Sequence, residues 1–262
     1  MKKTIHAVAA LTVAASIQAV AEGELQWNLL FTGNNYSVTG AQGQTYSTLT
    51  VNLGSAQVSD GVCTTPGNSN RVRIEDSDSP VSVTNNFSLV VQGGLASTIT
   101  TDYPVLFGFG LGPSNNFKVN ANRASSDLGI APEGYALNAD YSERGGSIAP
   151  GMCTYIVTYT YNESDKTASL TLYQDAVLVA SALTNSIGTD KEGPLDYFTV
   201  GGRPYNTSNL SNFSFTNMQL YSGVLTQEQI LTLSPNATVP EPATATLSLL
   251  ALAGLCARRR RK

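Results

Sequence analysis

Thr154-Tyr155-Ile156-Val157-Thr158-Tyr159-Thr160-Tyr161-Asn162, resumed after a polar break by Ala168-Ser169-Leu170-Thr171-Leu172-Tyr173-Gln174, decides the fold class. Tyr155, Val157, Tyr159 and Tyr161 alternate with Ile156, Thr158 and Thr160, and a period of two predicts a half-buried β-strand. The break, Asn162-Glu163-Ser164-Asp165-Lys166, is turn chemistry and joins the two runs as a hairpin. Short alternating runs of the same kind recur along the chain between Gly, Asn, Ser and Pro. They predict strands at Leu25–Phe31, Ser47–Leu53, Arg71–Ile74, Phe87–Gln92, Val105–Leu111 and Phe117–Asn120, then at Tyr135–Ala139, Val177–Ser181, Tyr197–Gly201 and Phe213–Tyr221. No amphipathic helix of useful length interrupts them. Thr226-Gln227-Glu228-Gln229 fits a capping box, which predicts one short helical turn through Leu231. Many strands at short spacing make an all-β sandwich or barrel, read as one domain over residues 22–234.

A more specific likeness rests on motifs within this half of the chain. Leu170-Thr171-Leu172-Tyr173-Gln174-Asp175-Ala176-Val177-Leu178-Val179 resembles the strand-turn-strand signature of concanavalin A-like, laminin-G-type domains. Ala176 stands where that family carries glycine, so the turn is expected to differ. Phe198-Thr199-Val200-Gly201-Gly202-Arg203 and the closing run from Phe215 to Ile230 resemble further pieces of the same domain, in order. The resemblance implies a jelly roll of two antiparallel sheets that binds glycans or proteins on a sheet face or at its loops. Fold alone assigns no function.

Both ends read as addresses rather than as fold. Lys2 and Lys3, the apolar stretch Ala7–Ile17 and Ala19-Val20-Ala21 form a signal peptide over residues 1–21, with cleavage by signal peptidase before Glu22. At the other end, Pro240-Glu241-Pro242 is followed by the apolar run Ala243–Ala257 and then by Arg258, Arg259, Arg260, Arg261 and Lys262. That order resembles the PEP-CTERM sorting signal of Gram-negative bacteria, over residues 235–262. It implies an exosortase-type enzyme as partner and export to the cell surface, outer membrane or extracellular matrix. Prolines keep the motif extended for a protease. About 15 helical residues span roughly 22 Å, less than a hydrocarbon core of about 30 Å, so the run makes a short membrane helix suited to a transient stop. The basic end stays on the cytoplasmic side.

Charge and composition exclude several activities. The formal charge of the whole chain is −4. Without the seven basic residues of the two ends, and without Glu241, the body carries about −10, which disfavours nucleic acid. The sole histidine, His6, lies in the signal peptide. The exported body therefore has none, which excludes Ser-His-Asp and Cys-His catalysis and imidazole-bound zinc. Cys63 and Cys153 travel with the body into an oxidising compartment, and a disulfide between them is expected. It would close a loop of about 90 residues, for about 4–5 kcal/mol.

Candidate binding groups are sparse. Glu75, Asp76 and Asp78 precede Pro80 and read either as a structural calcium loop or as a solvated strand end and turn. Trp27 reads as core filling of the first strand or as a sugar platform. Tyr103, Tyr135 and Tyr205 lie near Pro or Gly and are candidate sugar contacts. No alternating carboxylates of the glucanase kind occur, so no catalytic residue and no cofactor is assigned. The function expected is a non-catalytic, glycan-binding surface or matrix protein with a glycan or exopolysaccharide as partner. The alternatives are a structural or adhesive protein that binds other proteins, and a carboxylate-based polysaccharide hydrolase.

Overall fold

The computed structural model describes residues 22–66, 71–95, 104–111, 115–121, 128–133, 151–184, 187, 192–203 and 210–237. In chain order the strands are β1 (Glu24–Thr32), β2 (Asn35–Gly40), β3 (Leu49–Asn52), β4 (Gln57–Ser59), β5 (Val62–Thr64), β6 (Val72–Asp76), β7 (Phe87–Leu95) and β8 (Val105–Leu111). They continue with β9 (Asn115–Ala121), β10 (Leu128–Glu133), β11 (Cys153–Asn162), β12 (Thr167–Gln174), β13 (Val177–Leu183), β14 (Tyr197–Val200) and β15 (Phe213–Ser222), followed by the helix α1 (Gln227–Leu233). Two antiparallel sheets result. A nine-stranded sheet runs β13-β12-β11-β7-β15-β1-β2, with β5 added on β15 and β4 on β5; a six-stranded sheet runs β10-β9-β8-β14-β6-β3.

The inner faces meet in an aromatic core. Phe87 stacks on Tyr159 with centroids 4.4 Å apart and meets Phe109 edge-on at 5.9 Å, so β7 and β11 grip β8 across the sandwich. Trp27 does the same from β1, edge-on to Phe198 of β14 at 5.2 Å. Each such pair adds about 0.5–1.5 kcal/mol to simple burial. Strand β7 comes so close to its neighbours that it has room only for glycine at two positions. A Cβ on Gly93 would sit 2.6 Å from the Ser214 carbonyl, and one on Gly94 would run into the carbonyl of Gly151.

The expected hairpin forms, with Asn162 opposite Thr167 and Tyr155 opposite Gln174. Its strand β11 is not half-buried, however: Ile156 is fully buried and Thr154 and Thr158 nearly so. The reason is a second, smaller core on the outer face of the nine-stranded sheet, where Val90, Ile156, Tyr221, Leu225 and Ile230 pack together. Helix α1 supplies Ile230. The capping box is made as expected, the Thr226 hydroxyl accepting from the Gln229 backbone amide and the Gln229 side chain accepting from the Thr226 amide. The helix runs to Leu233, two residues past the expected end.

The β12–β13 turn bears on the missing glycine. Asp175 and Ala176 have φ of 47° and 65°, the two positive values of a type I′ hairpin, between the paired residues Gln174 and Val177. Ala176 thus adopts the glycine conformation, and its side chain packs against the second core. Strands β2, β4, β5 and β10 escape the period-two reading. β4 and β5 have three residues each, and β10 carries Gly129 and Pro132, which an edge strand tolerates. Tyr135–Ala139 lies outside the described residues.

Candidate functional site

The side chains that alternate away from the core on the six-stranded sheet form the candidate site. Register aligns them in two rows. One runs Asn52, Arg73, Thr199, Gly108, Lys118 across β3, β6, β14, β8 and β9; the next runs Thr50, Glu75, Tyr197, Gly110. The sequence Phe107-Gly108-Phe109-Gly110 explains the centre of the face. Its phenylalanines fill the core, and its glycines leave β8 without side chains on the outside. Thr199 and Lys118 flank Gly108, about 10 Å apart at two strand spacings.

Exposure divides the face. Asn52, Thr50, Arg73 and Glu75 are exposed, whereas Thr199, Tyr197, Asn120 and Lys118 are buried, Lys118 to 5% exposure. The Thr199 hydroxyl donates to the Gly202 carbonyl at 3.0 Å. Burial, and then the like charge of Arg203, lower the Lys118 pKa to about 8. Arg71 completes the group, its Cβ lying 3.4 Å from where a side chain on Gly202 would begin. Of the five basic residues among the described ones, Arg71, Arg73, Lys118 and Arg203 gather here, and only Lys166 lies elsewhere, paired with Glu192 at 3.1 Å. The accessible part of the face is therefore its β3–β6 edge, with Asn52, Thr50, Arg73 and Glu75, while the β14–β8–β9 part, Gly108 and Gly110 included, is covered.

The acidic trio does not converge. Glu75 and Asp78 are exposed, while Asp76 is buried and accepts from Tyr46 Oη at 3.0 Å, Thr48 Oγ1 at 2.8 Å and, at 3.3 Å, the Asp78 amide. Successive residues on β6 face opposite ways, so Glu75 and Asp76 cannot share an ion from their strand positions. Among the described residues, no group of three or more acidic, cysteine or histidine side chains is arranged to hold a metal. The segment forms a strand end and a turn, with Asp76 tying β6 to the segment before β3. Burial, chiefly, and the charges of Asp76 and Asp78 raise the Tyr46 hydroxyl to a pKa of about 12, while the bond to Thr48 opposes them.

Trp27 is core, fully buried. Tyr103, Tyr135 and Tyr205 lie outside the described residues. The expected disulfide is not formed, and both thiols are buried. Register shows why. Cys63 pairs with Phe215, Phe215 with Gly93, and Gly93 with Cys153, so the cysteines lie in one row with two strands between them. Three strand spacings make about 14 Å, whereas a disulfide needs Cα atoms within about 7 Å. Burial raises the Cys63 thiol to about 12 and, with the nearby Asp175, the Cys153 thiol to about 11. Neither is primed as a nucleophile. A shallow depression of about 400 Å³ beside α1 is lined by Glu22, Tyr221, Leu225, Thr226, Glu228 and their neighbours, none of them basic.

The sorting motif, Pro240-Glu241-Pro242 with Arg258, Arg259, Arg260 and Arg261, also lies outside the described residues, and so does the expected membrane helix. Among the described residues no helix is long and apolar enough to cross a membrane. Comparison with known proteins decides what the tail is. Residues 238–262 match the PEP-CTERM protein-sorting motif. The chain is therefore an exported protein of the exosortase-sorted, Gram-negative type. No curated protein matches it in sequence. Its sandwich is similar to that of Trypanosoma rangeli sialidase in complex with 2,3-difluorosialic acid, at 18% identity and a TM-score of 0.59, over 80% of this chain and 32% of the sialidase. The receptor binding domain of botulinum neurotoxin D is similar at 13% identity and a TM-score of 0.52, over 80% of this chain and 52% of that one. The chain thus spans about a third of the sialidase's length, and at these identities the likeness is one of fold.

Proposed function

We propose that this protein is a non-catalytic, glycan-binding component of the cell surface or extracellular matrix, released from its signal peptide before Glu22 and delivered by its tail. The observation that carries the reading is the outer face of the six-stranded sheet. Asn52 and Thr50 of β3 and Arg73 of β6 stand exposed there, side by side in register. A sugar chain offers hydroxyls in a repeating, flat array, and a pleated face that repeats its polar groups every second residue complements it. The concanavalin A-like resemblance of Leu170–Val179 and Phe198–Arg203 supports the same reading by analogy. So does the lack of histidine in the body, which removes the commonest general base.

Glycan-array binding by the exported protein tests it. Binding is expected to fall when Asn52 and Arg73, both exposed, are replaced together by alanine. Binding to proteins but to no glycan would favour an adhesive role instead, and turnover of a polysaccharide would favour the hydrolase. N-terminal sequencing of exported material is expected to begin at Glu22.

A further inference from the structure

We propose that the exosortase-type enzyme docks on the folded body itself, at the uncharged end formed by Met152, Pro235 and Asn236, when it takes Pro240-Glu241-Pro242. The inference rests on the sorting motif matched over residues 238–262 and is independent of the glycan reading. It starts from the way α1 ends. Ser234-Pro235-Asn236-Ala237 is turn chemistry, with proline second and asparagine third. Proline disfavours a helical residue before it, and Ser234 leaves the helix at φ −111° and ψ 79°. The turn closes, the Ala237 amide donating to the Ser234 carbonyl at 2.8 Å. Ser234 is buried, and Asn236 Nδ2 donates to the Met152 carbonyl at 3.1 Å. The chain is thus fastened to the residue just before β11, 84 residues away in sequence, and only four residues ahead of Pro240.

Covalent length then limits where the motif can be. Four residues reach about 14 Å even when fully extended. A body of this size has a radius of gyration of about 17 Å. The motif therefore cannot leave the neighbourhood of Met152 while the turn holds, and an enzyme that takes it must meet this end of the sandwich. The surface there suits a partner. Met152 is 41% exposed, and Gly151, Pro235 and Asn236 are exposed with it. In a body of about −10, the two segments that meet here, 151–162 and 229–240, contain no charged residue. Glu228 lies in the first turn of α1, about 8 Å along the axis from its last residue. Asp175 is half-buried and commits Oδ1 to the Thr154 amide at 2.8 Å. The centre of a protein interface is depleted of charge and enriched in methionine, because an unpaired buried charge is costly whereas a thioether chain adapts to its partner. An exposed methionine at the charge-free end of an acidic protein fits that composition.

Pulse-chase of the full chain in its own bacterium, read by the loss of mass as the tail is removed, tests the inference. Met152→Asp is expected to slow that loss about fivefold or more, as for a central interface contact. Leu183 is also exposed but aligns through Ser169 with Thr160, at the far end of β11, and Leu183→Asp is expected to leave the rate unchanged. About ten Gly/Ser residues inserted between Ala237 and Thr238 free the motif from this end, and in that chain Met152→Asp is expected to have no effect. A thermal melt of each exported protein guards against misfolding. Met152→Lys, whose stem keeps the packing of methionine, carries the same test if the aspartate variant melts early. Wild-type rates for the folded Met152 variants overturn the inference, and so does slow processing that the spacer fails to relieve. A wild-type chain that keeps its tail overturns it together with the reading of the tail as a processing signal, and leaves the glycan reading untouched.

Discussion

The two sheets treat their outer faces in opposite ways. On the nine-stranded sheet, Val90 and Ile156 turn outward and are sealed beneath α1 by Leu225 and Ile230. On the six-stranded sheet the corresponding positions hold Thr199, Gly108, Lys118 and Arg73, with no described helix above them. An apolar outer face needs a cover because exposed hydrocarbon costs about 25 cal/mol per Å². A polar one does not, and its β3–β6 edge, with Asn52, Thr50 and Arg73, stays exposed while Thr199, Gly108 and Lys118 are covered.

Four substitutions test that contrast, beginning with the largest expected effect. Ile156→Ala is expected to cost about 2–4 kcal/mol in urea unfolding, because it opens a cavity under α1. A cost below that of an exposed substitution would mean that α1 does not seal the face. Lys118→Met is expected to stabilise the protein by about 1–2 kcal/mol at neutral pH. The sign follows from the lowered pKa. Between about 8 and 10.5 the unfolded lysine holds a proton that the folded one has released, so wild-type stability rises with pH across that window. The advantage of the variant should therefore shrink on going from pH 7 to 10.5, and a constant advantage would contradict the assigned cause. Thr226→Ala removes the cap of α1 and is expected to cost about 1 kcal/mol by thermal melt, with the loss confined to the nine-stranded side in hydrogen exchange. Ala176→Gly is expected to gain a few tenths of a kcal/mol, about 0.5, since relief at positive φ outweighs one lost methyl contact. Destabilisation there would show that the methyl group matters more to the second core than the turn does.

Much of the sandwich was legible in local pattern. Tyr155 to Tyr161 announced a strand, Val105 to Leu111 another, and Thr226 to Gln229 a capped turn. Failures came where a property depends on a neighbour distant in sequence. Ile156 looked solvent-facing because nothing near it in the chain foretells α1. Cys63 and Cys153 looked like partners because compartment and count favour pairing, yet their lateral places in the sheet separate them by two strands. Asp76 reads from sequence either as a calcium ligand or as part of a solvated turn, and only the fold surrounds it with Tyr46 and Thr48.

By itself, the sequence determined the class of fold, the sorting address and the absence of imidazole from the body, since each is written in residues adjacent or evenly spaced along the chain. Only the tertiary structure decided which strands neighbour one another. That choice put Arg71, Arg73, Lys118 and Arg203 on one corner and kept the cysteines apart. Register is set by the packing of whole sheets, and no local run of residues carries it.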